Sequence, residues 1–103
     1  MKSFNVNTTQ LIVRFTCPEC NHTIEADVSS SIPEPNMESD TAHESENCEE
    51  EELYCEGCNT SFTIEMYKNY YEGNVRITYF DRNEDLQEIN DDDIDLEESV
   101  YIV

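Results

Sequence analysis

Apolar residues in this chain alternate with polar ones more often than they recur at helical spacing. Leu11, Val13 and Phe15 alternate through "QLIVRFT" (10–16), and Phe62, Ile64 and Met66 through "SFTIEMY" (61–67). A period of two puts one set of side chains on a buried face, which predicts half-buried strands. "VRITYF" (75–80) predicts another strand after the turn signal "EGN", and "KNYYEGN" (68–74) would join it to 61–67 as a hairpin. The final "VYIV" (100–103) reads as an edge strand. Helical evidence is thin. Leu86, Ile89, Leu96 and Val100 could share a helical face, but "NDDD" (90–93) interrupts them with poor helix formers. Segment 81–98 is therefore expected to be a loop with at most a short helix. The pattern points to a small, mostly-β protein.

Two of these β-prone regions carry nearly the same phrase. "RFTCPECNHTIEAD" (14–27) and "LYCEGCNTSFTIE" (53–65) align at an offset of 38, which sets Cys17 on Cys55, Cys20 on Cys58 and Asn21 on Asn59. Thr23 falls on Ser61, Ile24 on Phe62 and Asp27 on Glu65. Each phrase has an extended approach, a tight turn holding Pro18 or Gly57, and an extended exit.

Charge changes the picture next. Five Lys and Arg face 25 Asp and Glu, a formal net charge of −20 on 103 residues. Self-repulsion opposes compaction, and a domain of this size has a small core, so a staple is expected. Twenty acids lie in two blocks, ten in 34–56 and ten in 81–98. Pro33, Pro35 and "SSS" (29–31) adjoin or fall in the first, a composition compatible with disorder. The expected organisation is a β domain over 1–80 with an acidic insertion at about 29–52, then an acidic segment over 81–103 ending in the edge strand.

The staple is legible in the cysteines. "MKSFNVNTTQ" lacks the apolar core of a signal peptide, and no stretch approaches the ~20 apolar residues of a membrane span. A cytoplasmic, reducing location is expected, where paired cysteines serve as metal ligands more often than as disulfides. Two CxxC turns facing each other complete a tetrahedron of sulfurs, which suits one structural zinc held by Cys17, Cys20, Cys55 and Cys58. Thirty-four residues separate Cys20 from Cys55, against roughly 15–20 in a compact motif, and an insertion between the knuckles accounts for the excess. Iron, two disulfides or a pair of redox dithiols are the alternatives; the last would call for a thioredoxin-like βαβ pattern that this sequence lacks.

With "CPEC", a long connector and a second CxxC before a β-prone run, the stretch from Val13 to Tyr67 resembles a zinc ribbon. It is similar to a small bacterial family typified by a CPxC first knuckle, and to the zinc-binding half of certain bacterial antitoxins with a similar gap between pairs. The resemblance rests mainly on the four cysteines, and implies a zinc-ribbon fold with knuckles on β-hairpins. Those antitoxins carry a helix-turn-helix domain after the zinc half. No such pattern follows here, so transcriptional autoregulation is not implied.

Other residues draw attention but fit plainer roles. Cys48 in "ENCEEEE" is the spare cysteine, and its acidic neighbours raise a thiol's pKa and blunt its reactivity. His22 and His43 are surplus beside four cysteines. Asp81, Asn83 and Asp85 match positions 1, 3 and 5 of a calcium loop, yet position 6 is Leu86 instead of glycine and position 12 is Asp92. Tyr67, Tyr70 and Tyr71 suit hairpin packing or an interface.

Function follows from the charge. Phosphate binding needs clustered cations, whereas Lys2, Arg14, Lys68, Arg76 and Arg82 are scattered, which argues against direct nucleic-acid binding. Glycine occurs only at Gly57 and Gly73, so no phosphate-cradling loop is written, and no nucleophile–base pair is evident. A non-enzyme is expected. Acidic blocks on a zinc-stapled scaffold would be steered onto a basic protein such as a nuclease, toxin or DNA-handling enzyme, as an antitoxin, immunity protein or nucleic-acid mimic does. The candidate contacts are Glu49, Glu50, Glu51, Glu52, Asp91, Asp92, Asp93, Tyr70 and Tyr71. The alternative is an accessory zinc-ribbon subunit of a larger assembly, its acids serving only solubility.

Overall fold

The computed structural model describes residues 2–5, 7–33, 47–68 and 72–100. Their regular elements are β1 (Lys2–Phe4), β2 (Thr8–Thr16), β3 (Thr23–Asp27), β4 (Asn47–Tyr54), β5 (Ser61–Lys68), β6 (Gly73–Phe80), β7 (Leu86–Glu88) and β8 (Ile94–Val100). Single 3-10 turns lie at Ser29–Ser31 and Asp91–Asp93, and no α-helix occurs among the described residues. The strands form two antiparallel sheets. The larger runs β1-β6-β5-β4, with β7 also on β6; the smaller runs β3-β2-β8.

The alternation read from sequence sets the buried faces. Leu11, Val13 and Phe15 of β2 join Ile24 and Ile94 from their own sheet and Phe62, Ile64, Met66, Val75 and Ile77 from the other in one cluster. Phe15 and Phe62 meet edge-to-face with centroids 5.0 Å apart, and Tyr79 tilts against Phe62 at 5.4 Å. The expected hairpin over 61–80 is present, with Lys68 opposite Gly73 and Phe62 opposite Tyr79.

Gly73 opens β6, and its φ is not positive, so the turn does not require a glycine there. What requires it is Phe4, whose ring lies where a Cβ on residue 73 would sit. Gly73→Ala should therefore lower stability by about 1–3 kcal/mol, the usual range for overpacking. Denaturant melts should show that loss, and it should vanish when Phe4 is already alanine.

The C-terminal acidic block is not the expected loop with a short helix. It supplies β7 to the larger sheet and β8 to the smaller one. In β8, Ile94 is buried and Leu96 half-buried, while Asp95 and Glu97 are exposed. This is strand alternation, hidden in sequence because the outward positions are nearly all acidic. Leu86 and Ile89 share no helical face either: Leu86 is exposed in β7, and Ile89 is buried with its N–H donating to the Ile77 carbonyl. Glu98 lies opposite Leu11 on the inner side, where its Oε1 accepts from the Asn5 N–H at 2.6 Å and the Thr8 hydroxyl at 2.8 Å. The edge strand β8 is described over Ile94–Val100, and residues 101–103 of the expected edge strand lie outside the described residues.

The first acidic block is partly ordered as strand. Glu49, Glu50, Glu51 and Glu52 are consecutive residues of β4, opposite Met66, Glu65, Ile64 and Thr63 of β5. Residues 34–46 of the expected insertion lie outside the described residues.

Candidate metal centre

The repeated phrase is a repeated structure. Thr16 pairs with Thr23 at the end of the β2–β3 ladder, and Tyr54 with Ser61 at the end of β4–β5, positions related by the same offset of 38. Between them run two matching turns. In the first, the Cys17 N–H donates to the His22 carbonyl at 2.8 Å and the Asn21 N–H to the Cys17 carbonyl at 2.8 Å. In the second, the Cys55 N–H donates to Thr60 at 2.9 Å and the Asn59 N–H to Cys55 at 2.8 Å. Asn21 and Asn59 both have φ of 62°, the left-handed conformation that asparagine tolerates better than most residues.

The two turns bring all four cysteines together, with every sulfur within 4.8 Å of the others. Cys17 Sγ lies 3.6 Å from Cys58 Sγ, and Cys20 Sγ 3.5 Å from Cys55 Sγ. A disulfide needs ~2.0 Å, whereas four sulfurs about 2.3 Å from a central ion stand roughly 3.8 Å apart. The spacing fits one tetrahedral metal ion. Cys17 and Cys55 are buried, Cys20 and Cys58 exposed, so each turn contributes one inner and one outer ligand.

Hydrogen-bond donors converge on three of the four sulfurs. Cys17 Sγ accepts from the backbone N–H groups of Glu19 and Cys20, and Cys20 Sγ from that of His22. The Thr60 hydroxyl lies 3.0 Å from Cys58 Sγ and, with the Thr60 N–H, brings that thiol down to about 6. Cys17 and Cys20 are held in the thiol form. Burial holds Cys17 up. At Cys20 the His22 N–H is the strongest single influence and favours thiolate, yet burial and the neighbouring thiols together push it up to about 12. A bound ion removes that conflict by deprotonating its ligands. Metal uptake at pH 7 should therefore release at least the protons of Cys17 and Cys20. Calorimetry in buffers of different ionisation enthalpy should count them, and affinity should fall about tenfold per proton for each pH unit of acidification.

Gly57 stands against this cluster. A Cβ there would lie 3.0 Å from Cys20 Sγ and 3.7 Å from Cys55 Sγ. Its φ is not positive, so closeness to the sulfurs, not turn conformation, is what asks for glycine. His22 acts through its backbone; His43 lies outside the described residues.

The other candidates are dispersed. Glu49–Glu52 follow β4, the edge of the larger sheet, and Asp91–Asp93 form the 3-10 turn before β8. Tyr70 and Tyr71 lie outside the described residues. Tyr67 is half-buried and donates to Glu65 Oε2 at 2.6 Å. Cys48, opposite Tyr67, has its thiol pushed up by burial and then by Glu50, Glu65 and Glu49, in the direction its acidic neighbourhood implies. The calcium-loop match has a structural role: Asp81 Oδ1 accepts from the N–H groups of Asn83 and Asp85 at 2.8 and 3.0 Å, while Oδ2 accepts from Gln87. The side chain closes a turn.

Each arginine faces carboxylates. Arg14 lies 2.8 Å from Glu25 and 3.7 Å from Glu97, Arg76 2.8 Å from Glu65, and Arg82 3.4 Å from Glu19. Among the described residues no helix is long and apolar enough to cross a membrane. Comparison with protein-family models, curated proteins and solved structures gives no match.

Proposed function

We propose that this chain is an acidic protein-binding module, stapled by one structural zinc ion, that inhibits or regulates a basic partner acting on nucleic acid. The observation that carries the reading is the net charge of −20, part of it borne by the strands β4 and β8 and the turn at Asp91–Asp93. Glu50 and Glu52 share the outward face of the edge strand β4, ~6.7 Å apart, whereas Glu49 and Glu51 lie opposite the buried Met66 and Ile64, and Glu51 Oε2 is shut away from solvent. With Arg14, Arg76 and Arg82 held against carboxylates, few cations remain to oppose the negative charge. Such a surface attracts the cationic groove of a nuclease, toxin or DNA-handling enzyme and blocks it with carboxylates.

Zinc is the ion proposed because four thiolates in a closed tetrahedral site suit it, and the two knuckles resemble those of a zinc ribbon. Four protein ligands would leave it no open position, so its role is structural and the protein is proposed to be a non-enzyme. A free-thiol cluster of this kind suits a reducing compartment such as the cytoplasm.

The test is partner recovery by the metal-loaded protein at low and high salt, alongside variants with Glu49–Glu52 changed to Gln or Asp91–Asp93 to Asn. The expected result is a stoichiometric basic, nucleic-acid-acting protein, released by salt and lost on neutralisation. Binding that survives both neutralised variants would refute the acidic surface as the working one, and would favour an accessory subunit whose acids only keep it in solution.

A further inference from the structure

Three large apolar residues near the metal end of the larger sheet are exposed: Tyr54 at 65%, Phe80 at 64% and Leu86 at 60%. Strand register places them in one line. Tyr54 is opposite Ser61, and Phe80 opposite Leu86. The β5–β6 ladder pairs Phe62 with Tyr79, which sets Ser61 beside Phe80. Tyr54, Ser61, Phe80 and Leu86 thus form a single cross-strand row over β4, β5, β6 and β7, facing away from the core and ~14 Å across at normal strand spacing. The neighbouring row on the same face runs Glu52, Thr63, Thr78, Glu88, with a carboxylate at each end.

Scattered apolar residues on a surface mean little, but an aligned row framed by charge has the anatomy of an interface, an apolar centre within a polar rim. Charge decides what fits. Two copies of the chain meeting through this row would set like carboxylates together under a charge of −20 on each, so self-association is disfavoured. We infer that the row is the anchoring site for a basic protein segment that presents an apolar side chain between lysines or arginines, the apolar group seated over Phe80 and Leu86 and the cations meeting Glu52 and the exposed Glu88, whose Oε1 lies 3.9 Å from Arg76 Nε. The inference rests on the acidic-binding reading and adds to it that affinity is not electrostatic alone. The acidic strands supply attraction and encounter rate, while the row supplies a desolvated anchor of the kind that dominates binding energy.

The test uses the intact, metal-loaded chain and two synthetic peptides, Lys-Arg-Lys-Trp-Lys-Arg-Lys and the same sequence with Ser for Trp, followed by NMR titration at low and moderate salt. The expected result is at least about tenfold tighter binding of the Trp peptide, with the largest shifts at Tyr54, Phe80 and Leu86. A Phe80→Thr, Leu86→Thr double variant, at exposed strand positions where threonine is well tolerated, should keep its metal and melting temperature. It should lose the Trp advantage while retaining salt-sensitive binding of both peptides. Equal binding of the two peptides by the unaltered chain would overturn the anchor and leave the acidic reading standing. Failure of both to bind at low salt would overturn the two together. Concentration-dependent dimerisation abolished by the double variant would assign the row to a second copy and overturn the inference.

Discussion

Stripping the metal with a chelator, or replacing Cys17 by serine, is expected to unfold the protein instead of merely loosening one loop. The reason lies in which strands the two knuckles join. The first connects β2 and β3 in the smaller sheet, and the second connects β4 and β5 in the larger one. One ion ligated by both knuckles would cross-link the sheets, at the end of the core where Phe15 meets Phe62. Each sheet alone would leave an apolar face bare, and a charge of −20 would drive the halves apart. Structural zinc contributes about 10–16 kcal/mol in small zinc-folded peptides, while a whole domain is stable by only about 5–15 kcal/mol. Removing the ion can therefore consume the whole margin. Near-UV circular dichroism and amide NMR dispersion should collapse together on chelation and return on adding back one equivalent of metal. Cys17→Ser should match the chelated state, because Cys17 is wholly buried. A chelated protein that kept its cooperative melt within a few degrees would show that the core suffices without the cross-link.

The second large effect concerns the aromatic contact beside the cysteine cluster. Phe62→Ala should destabilise the protein by about 3–5 kcal/mol, the range for emptying a buried aromatic site. Phe62 is completely buried and touches both Phe15 of the opposite sheet and Tyr79 of the neighbouring strand. About 0.5–1.5 kcal/mol of that loss should couple to Phe15 in a double-mutant cycle, the usual worth of an edge-to-face pair. Phe80→Ala removes the same side chain from a position 64% exposed, and should change stability by no more than about 0.5 kcal/mol. Denaturant melts of the metal-loaded variants would separate these values. Similar losses at both positions would mean that Phe80 is packed in solution and is no part of an exposed row.

What was legible in the sequence follows from what is local. The knuckles could be read because the ligands, the turns and the flanking alternation all lie within two stretches of about a dozen residues. The aligned asparagines were visible at Asn21 and Asn59, but their left-handed conformation gives the reason for the match. The strand at 94–100 escaped because two inward apolar residues, Ile94 and Leu96, stand among acids whose composition suggests a solvated loop. Glu98 deepened the disguise by occupying an inner position, where Asn5 and Thr8 satisfy it. The division of the hairpins between two sheets could not be read at all, since it depends on pairings such as β2 with β8, across most of the chain. The same holds for the row of Tyr54, Phe80 and Leu86, which exists only once the register of four strands is known.

Native mass spectrometry of the chain, purified without chelator under reducing-neutral conditions, tests the central claim most directly. The account predicts one metal ion per chain, with a mass showing every cysteine free of disulfide, and loss of that ion when any of Cys17, Cys20, Cys55 or Cys58 is replaced. A metal-free chain lighter by the hydrogens of one or two disulfides, or an ion that survives replacement of a whole CxxC pair, would contradict it.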